Sequence, residues 1–537
     1  MFTCLLSSLP PFISLPLSFS PSLVLLVFLL VFAVLFLLTH RTVPPSSGPP
    51  ARGPVPPSSG PPARGPVPPS SGPPARGPVP CLPRLPVLGS LPWLGGGLPP
   101  HLLFSQLVLV SGTGLCSRST SEVLLQRGRH FAGRPSMVTT DLLTRGGKDI
   151  AFSDYSPLWK SLRRLVHNSF TLFGEGTGRL QDIVLSSVDS LCAELLSGGG
   201  RGFDPAAAVT RAVTNVVCTL VFSATYRHGD AELQEVMRYN DGIVQTIAGG
   251  GLVDIYPWMK VFPNKCLRKL KDCIIVRDRL LSRKLEEHKA SLSDGDPRDL
   301  LDALLKGKTN GGQKSSESED ETITDNHVLM TAAEAFGAGV ETTSTTLLWI
   351  LVYLLHHPEV QERVQKELDE QVGSERPVCM SDRGRLPYLD CVINEGMRIR
   401  PVSPVLIPHT AMTDSSIGGH AVRRGTRVLV NMWAIHHDPE HWDRPDLFDP
   451  DRFLDRGQRV SPSCFLPFGA GPRVCIGESL ARLELFLFLS SLLQRMSFTL
   501  PDGAPPPNLQ GRLGVVLQPL PYKVVVTPRA GWEGGAK

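Results

Sequence analysis

Apolar positions along the 537-residue chain recur with a helical period through most of its length, and with a strand period in only a few short runs. The 3.6-residue pattern predicts helices over 159–168, 180–196, Ala206–Phe222, 267–290, 326–357 and 360–371, with Pro358 ending the fifth. β-like runs are confined to 405–407, 427–430, 515–517 and 524–526. That balance predicts a mainly α fold with a small β portion. The stretch 306–325 is polar, acidic and rich in glycine and serine, and reads as a mobile loop.

The beginning of the chain follows a different pattern. No charged residue precedes Arg41, and 23–38 is an unbroken apolar run. With 12–21 in front of it, this region is long enough to span about 30 Å of hydrocarbon. It lacks the basic leader and small-residue cleavage site of a removable signal peptide. Arg41, Arg52, Arg64, Arg76 and Arg84 all follow the run, a bias that puts the rest of the chain on the cytosolic side. Residues 1–40 therefore read as a single-pass signal anchor. Residues 45–80 are three identical copies of PSSGPPARGPVP. Proline at this density favours polyproline II, so 41–82 reads as a semi-rigid stalk, a spacer or a dock for an SH3-like partner. Ordinary globular sequence resumes at residue 83 and continues to 537 as one domain.

Composition narrows the field. A net charge of +4, from 54 basic against 50 acidic residues, gives no clustered basic face and no case for nucleic acid. Eleven cysteines without CxxC pairs suit a reducing compartment and free thiols. Two fragments of phosphate-binding loops fail on inspection. Gly307-Lys308-Thr309 has Asp302 where a glycine is needed, and Gly174-x-Gly176-x-Gly178 lacks the third Rossmann glycine. With no nucleotide site of its own, a redox protein of this sequence must draw electrons from another protein.

One cysteine of the eleven sits in a specified setting, Phe468-Gly-Ala-Gly-Pro-Arg-Val-Cys475-Ile-Gly477. A thiolate that binds iron must be held ionised, shielded, and approached by backbone amides. Glycines at 469, 471 and 477 let the chain approach a flat cofactor, Phe468 can cover the sulfur, and Arg473 can pair with an acidic edge group. A helix beginning near Ile476 aims its positive end at the sulfur. Ala338-Gly339-Val340-Glu341-Thr342-Thr343 lies in the middle of the longest predicted helix, where small residues admit a planar group and a hydroxyl can open the helix locally. Glu395-x-x-Arg398 and Trp159-x-x-x-Arg163 each place two groups one helical turn apart.

Together these motifs resemble the cytochrome P450 family, over about residues 83 to 530. The resemblance implies a haem b bound through Cys475, with Phe468, Gly469, Arg473 and Gly477 around it. It also implies Trp159, Arg163, Arg134 and His409 at the propionates, and an acid–alcohol pair, Glu341 and Thr342, for proton delivery. Glu395, Arg398 and Arg452 resemble a structural cluster behind the haem loop. NADPH enters indirectly, through NADPH-cytochrome P450 reductase, with cytochrome b5 as a second partner, and the family address is the endoplasmic reticulum membrane. FAGRP at 131–135, FPNK at 262–265, GAGVETT at 337–343, RPVSP at 400–404 and LIPH at 406–409 resemble the steroid 17α-hydroxylase/17,20-lyase branch. That branch implies hydroxylation of progesterone or pregnenolone at C17, in a pocket of Phe152, Ala338, Val402, Ile407, Val515 and Val516, with Asn240 and Arg277 receiving the far steroid oxygen. Arg127, Arg383 and Arg482 match its docking surface, while Asn394 stands where the pattern has arginine, which implies hydroxylase activity exceeding lyase activity. Only 105–121 stands where the pattern has a longer strand hairpin, and this leaves a rival reading, a catalytically silent haem- or steroid-binding protein.

Overall fold

The structure, a computed structural model, describes Pro99 and residues 101–102, 117–171, 178–197, 200–227, 229–249, 251–311 and 322–532. The expected anchor 1–40, the stalk 41–82, the 105–116 portion of the shortened hairpin and the 312–321 portion of the expected loop lie outside the described residues.

Among the described residues ten helices exceed eleven residues: α1 Pro157–Thr171, α2 Arg179–Leu196, α3 Ala206–Phe222, α4 Ala231–Gly249, α5 Lys265–Ser291, α6 Leu300–Gly311, α7 Asp325–His356, α8 Pro358–Gln371, α9 Pro387–Ile399 and α10 Glu478–Arg495. Their ends carry readable signals. Asn264 caps α5 by accepting the Leu267 amide, and Thr324 and His327 close a reciprocal cap on α7. Proline opens α8 and α9 at positions where its missing N–H costs nothing.

The strands form five two-stranded antiparallel pairs. β1 (His409–Thr410) pairs with β4 (Arg427–Val428), β2 (Ser415–Ile417) with β3 (His420–Val422), and β5 (Leu454–Asp455) with β6 (Gln458–Arg459). β7 (Met496–Thr499) pairs with β10 (Val525–Pro528), and β8 (Arg512–Leu513) with β9 (Leu517–Gln518). The expected strand at 405–407 is instead a single bridge, Val405 to Asn431.

α7 is the axis of the fold. Its residues from Thr343 to Leu355 are buried without a polar stripe, as befits a helix packed on all sides. It is the one described helix long and apolar enough to cross a membrane, but 83% of its most apolar window is buried inside the protein, which makes it a core helix. It packs chiefly on α3, where Gly339 lies so close to Val217 that an added Cβ would stand 3.2 Å from a Val217 methyl.

The loop expected at 306–325 begins later than the sequence suggests, because α6 continues to Gly311. Gly307, a poor helix former, is kept there by packing: a Cβ would fall 2.1 Å from Leu165 of α1, so only glycine lets the two helices meet. Lys308 pairs with Asp325 at 2.5 Å, tying the end of α6 to the start of α7.

Candidate active site

Cys475 closes a tight loop. Gly469 donates to the Leu466 carbonyl at 2.9 Å, Val474 to Gly471 at 3.1 Å, and Cys475 to Phe468 at 3.0 Å. The three glycines do different jobs. Gly471, at φ +72°, faces the carbonyl oxygen of Leu124, which a Cβ would approach to 1.8 Å. Gly471 therefore clears a backbone crossing and does not face the cofactor space, contrary to expectation. Gly469 and Gly477 are the open ones: a Cβ at Gly477 would meet nothing within 4 Å, and at Gly469 only a Leu406 methyl at 3.7 Å.

α10 starts at Glu478 with Gly477 as its cap, and the Gly477 amide hydrogen-bonds the Cys475 thiol. Cys475 is exposed and lines a cavity, although protein surrounds the thiol on most sides. Burial pushes its pKa up, and the Gly477 amide and Arg163 only partly offset this. The protein surroundings alone thus favour the thiol, and the expected thiolate form is one that a bound metal would stabilise.

The cavity, about 320 Å³, lies between the Cys475 loop and α7 and is lined there by Ala338, Gly339, Thr342 and Thr343. Arg134, Arg163, Arg473, Trp159 and His409 line it as well. All three arginines bond to backbone carbonyls: Arg134 to Ala151, Ile407 and Pro408, Arg163 to Val474, Arg473 to Ala132, Ile150 and Ser153. Burial lowers the Arg473 pKa to about 9, helped by Arg134 and Arg163, and lowers that of Arg134 to about 10. Three crowded guanidiniums without a carboxylate ion pair among the described residues suit a flat, apolar, doubly acidic ligand such as haem. A thiol on one wall and glycines with open space beside it complete that fit.

Trp159 departs from expectation. Its single N–H goes to the Ile150 carbonyl at 2.8 Å, and its ring instead lies 4.2 Å beneath the Arg473 guanidinium. The His409 Nδ1 pairs with the Phe131 carbonyl at 2.7 Å, and burial, then Arg134, lowers its pKa to about 4, so the ring is neutral.

Thr342 lines the cavity and donates to the Ala338 carbonyl at 2.8 Å. Glu341 is not among the lining residues. Its carboxylate accepts from Asn240 Nδ2 and Gln518 Nε2, each at 3.2 Å, and its pKa is raised by burial and then by Asp241. Two carboxyls that sequence did not single out do line the cavity. Glu334 of α7 accepts the Ile150 amide at 2.8 Å, and Glu484 of α10 takes the Thr343 hydroxyl. Burial lifts both to about 8. Each is a lone glutamate on a helix, with no local pattern to mark it.

Of the expected steroid contacts, Ala338, Val402 and Ile407 line this cavity, while Phe152, Asn240, Arg277, Val515 and Val516 do not. Arg277 is engaged elsewhere, with Asp278 at 2.7 Å and the Leu143 carbonyl at 2.8 Å. Val515 is 44% exposed at the tip of the β8–β9 hairpin, and Val516 is buried.

The cluster behind the loop forms as expected. Arg398 makes a two-pronged pair with Glu395, each bond 2.7 Å, and Arg452 joins at 3.3 Å. Arg398 also holds the His436 carbonyl at 2.7 Å, and the His436 ring accepts the Leu466 amide at 3.1 Å. His436, which sequence did not reveal, thereby links the cluster to the Cys475 loop. On the other face of α10, Arg383, Asn394 and Arg482 line a cleft of about 1070 Å³. Asn394 is buried and accepts from Arg482 at 3.2 Å, so it is a support for that arginine and not an open surface position. Arg127 bonds Ser416, away from the cleft's lining.

Residues 115–526 match the family model of cytochrome P450. A steroid 17-alpha-hydroxylase/17,20 lyase of Ictalurus punctatus is 49% identical over 470 residues, covering 83% of this chain and 91% of the relative. A zebra fish cytochrome P450 solved with progesterone is 62% identical with a TM-score of 0.74, covering 80% of this chain and 100% of that one. A second zebra fish structure, with abiraterone, is 59% identical with a TM-score of 0.71 and covers 81% and 100%.

Proposed function

The chain belongs to the cytochrome P450 family and is a haem monooxygenase, and from that premise we propose that it hydroxylates progesterone or pregnenolone at C17, with a weaker 17,20-lyase activity. The observation that carries this reading is the cavity itself. One wall presents Cys475, another the small-residue face of α7, and its remaining apolar lining includes Ala338, Val402 and Ile407. Beside its arginines and glutamates, the lining offers apolar surface at Ile150, Met397, Val402, Leu406 and Ile407, which suits a sterol.

Haem held by Cys475 would supply the iron at which molecular oxygen is split, a reaction that a thiolate ligand favours. Arg134, Arg163 and Arg473 would hold its two propionates, with Trp159 fixing Arg473 from below and His409 offering a neutral ring. Gly469 and Gly477 leave room for the ring plane. Thr342, bonded to the Ala338 carbonyl, sets a hydroxyl in the cavity that can hold water and pass a proton. Glu341, kept from easy ionisation by burial and held by Asn240 and Gln518, stands one residue behind it as a proton reservoir.

The anchor 1–40 and stalk 41–82 would tether the domain 83–537 to the endoplasmic reticulum membrane with its catalytic body in the cytosol. NADPH would deliver electrons through NADPH-cytochrome P450 reductase, and cytochrome b5 would be a second partner, both docking near Arg383 and Arg482.

The test is spectral and chemical. The reduced carbon-monoxide difference spectrum of the full chain should show the band of thiolate-ligated haem, and Cys475→Ser should abolish it. Reconstituted with reductase, the protein should convert progesterone to its 17α-hydroxy product. A thiolate band without any product would favour the silent binder, and retention of the band in Cys475→Ser would refute the ligand assignment.

A further inference from the structure

The stretch 149–153, between the short helix Val138–Leu143 and α1, is gripped from both sides of its backbone. Its carbonyls are taken by the cations and the indole of the cavity. Ile150 receives Trp159 Nε1 at 2.8 Å and Arg473 at 3.0 Å, Ala151 receives Arg134 at 2.7 Å, and Ser153 receives Arg473 at 2.8 Å. Its amides are taken by two carboxylates. Glu334 accepts from Ile150 at 2.8 Å and also from Ala151, while Asp149 accepts from Phe152 at 2.9 Å. Of these holders, Glu334 alone comes from α7, the helix that also carries Ala338 and Thr342.

The two peptides at 150 and 151 therefore relay position. Their N–H groups point to Glu334, and their carbonyls hold Trp159, Arg134 and Arg473. Ile150 and Ala151 themselves line the cavity, while Phe152, next along, does not. We propose that Glu334 is a positioning residue for substrate specificity: it fixes the 149–153 segment against α7 and so sets both the cavity wall at Ile150 and Ala151 and the seats of Arg134 and Arg473. This rests on the steroid reading above for the identity of the ligand.

Glu334 suits the role chemically. It lies deep in the molecule, and burial followed by the charge of Asp149 lifts its pKa to about 8. Near neutrality it can accept two amide hydrogens without placing a full second charge beside Asp149, whose Oδ1 has no hydrogen-bond partner. A glutamine would keep an acceptor and neutrality. An alanine would leave two amides without their partner, and an aspartate would fall one methylene short.

The experiment compares haem-loaded wild type with Glu334→Ala, Glu334→Gln and Glu334→Asp. Loss of the two hydrogen bonds should speed amide exchange at Ile150 and Ala151 by about tenfold or more in Glu334→Ala. Progesterone affinity, read from the steroid-induced Soret shift, should weaken by about tenfold, with KM rising in step while kcat changes by less than about twofold. Glu334→Gln should restore both readouts and Glu334→Asp should not. Should Glu334→Ala fail to load haem, the Gln and Asp variants decide the matter alone. Unchanged exchange at 150–151, or a loss of thermal stability with KM and Soret shift intact, would overturn the proposal. A wild type that shows no Soret shift with progesterone would refute the steroid reading, while the exchange measurement would still decide the role of Glu334.

Discussion

Cys475, Arg473, Arg163 and Thr342 could be named from sequence because a motif states which residue types must stand at which spacing. What each side chain touches is set by segments far away in the chain, and there the sequence is mute. Trp159 was expected at a propionate, but its only donor goes to Ile150. Gly471 and Gly477 look alike in the motif, and the structure separates them. Alanine at 471 would combine a left-handed φ of +72° with a Cβ 1.8 Å from the Leu124 oxygen. It should cost about 3 kcal/mol or more, and leave the loop unable to close. Alanine at 477 meets no neighbour within 4 Å at a φ of −96°, so the fold should lose less than about 1 kcal/mol. Its methyl would enter the space beside Cys475, so haem content per chain should fall. Thermal melting and haem titration of Gly471→Ala and Gly477→Ala test the contrast; equal stability losses would show that both glycines serve the backbone alone.

Six of the helices were legible as elements from their apolar period, while α4 and α6 were not picked out. α3 ran as expected from Ala206 to Phe222, and α2 and α8 differ from expectation only at their first turns. α10 was expected only at its start near Ile476, because Leu483 to Gln494 are buried on every face and leave no stripe to give its length. α9 was expected only as the Glu395–Arg398 turn, and its residues Tyr388 to Ile399 are buried, polar side chains included. Partnerships between helices were equally hidden. His288 of α5 reaches Asp299, just before α6, at 2.8 Å, while its other nitrogen meets the Lys284 carbonyl at 2.7 Å. Asp302 lies close enough for these three residues to hold a metal, but Arg298 already occupies it at 2.6 Å. The group is better described as an ion-pair clasp between α5 and α6. Burial alone would lower the His288 pKa, yet the hydrogen bond and charge of Asp299 outweigh it and leave the value raised. A raised folded pKa stabilises fully below the unfolded value near 6.5, and that contribution fades as pH rises through the folded value. His288→Gln should therefore cost on the order of 1–2 kcal/mol at pH 6 and distinctly less at pH 9. Denaturant melts at the two pH values measure this, and a loss independent of pH would show that the imidazole is uncharged in the clasp.

At the scale of the whole molecule, α10 divides two environments. Leu480, Ala481, Glu484 and Leu485 face the cavity of Cys475, while Arg482 and Leu483 face the large polar cleft. α10 begins three residues after Cys475 and its first turns line both spaces, which makes the cleft a sensible place for an electron donor to dock. Its charge is nevertheless modest. Arg383 and Arg459 share Asp390, and Arg482 is paired with Glu478 at 2.9 Å. Three guanidiniums against two carboxylates leave one net positive charge, and Asn394 adds none. Long-range steering of an acidic partner should accordingly be weak and quickly screened by salt. Arg482→Gln keeps a donor for Asn394 and removes the remaining charge. Under the proposed docking, reductase-supported turnover at low ionic strength should fall by about threefold, because a rim charge acts mainly on the association rate. The dithionite-reduced carbon-monoxide spectrum should stay unchanged, since Arg482 does not line the cavity. Above about 0.5 M salt, where the Debye length is a few ångströms, variant and wild type should converge. A threefold loss that persists undiminished at high salt would mean that Arg482 acts by holding α10 in place, and docking would have to be sought elsewhere on the surface.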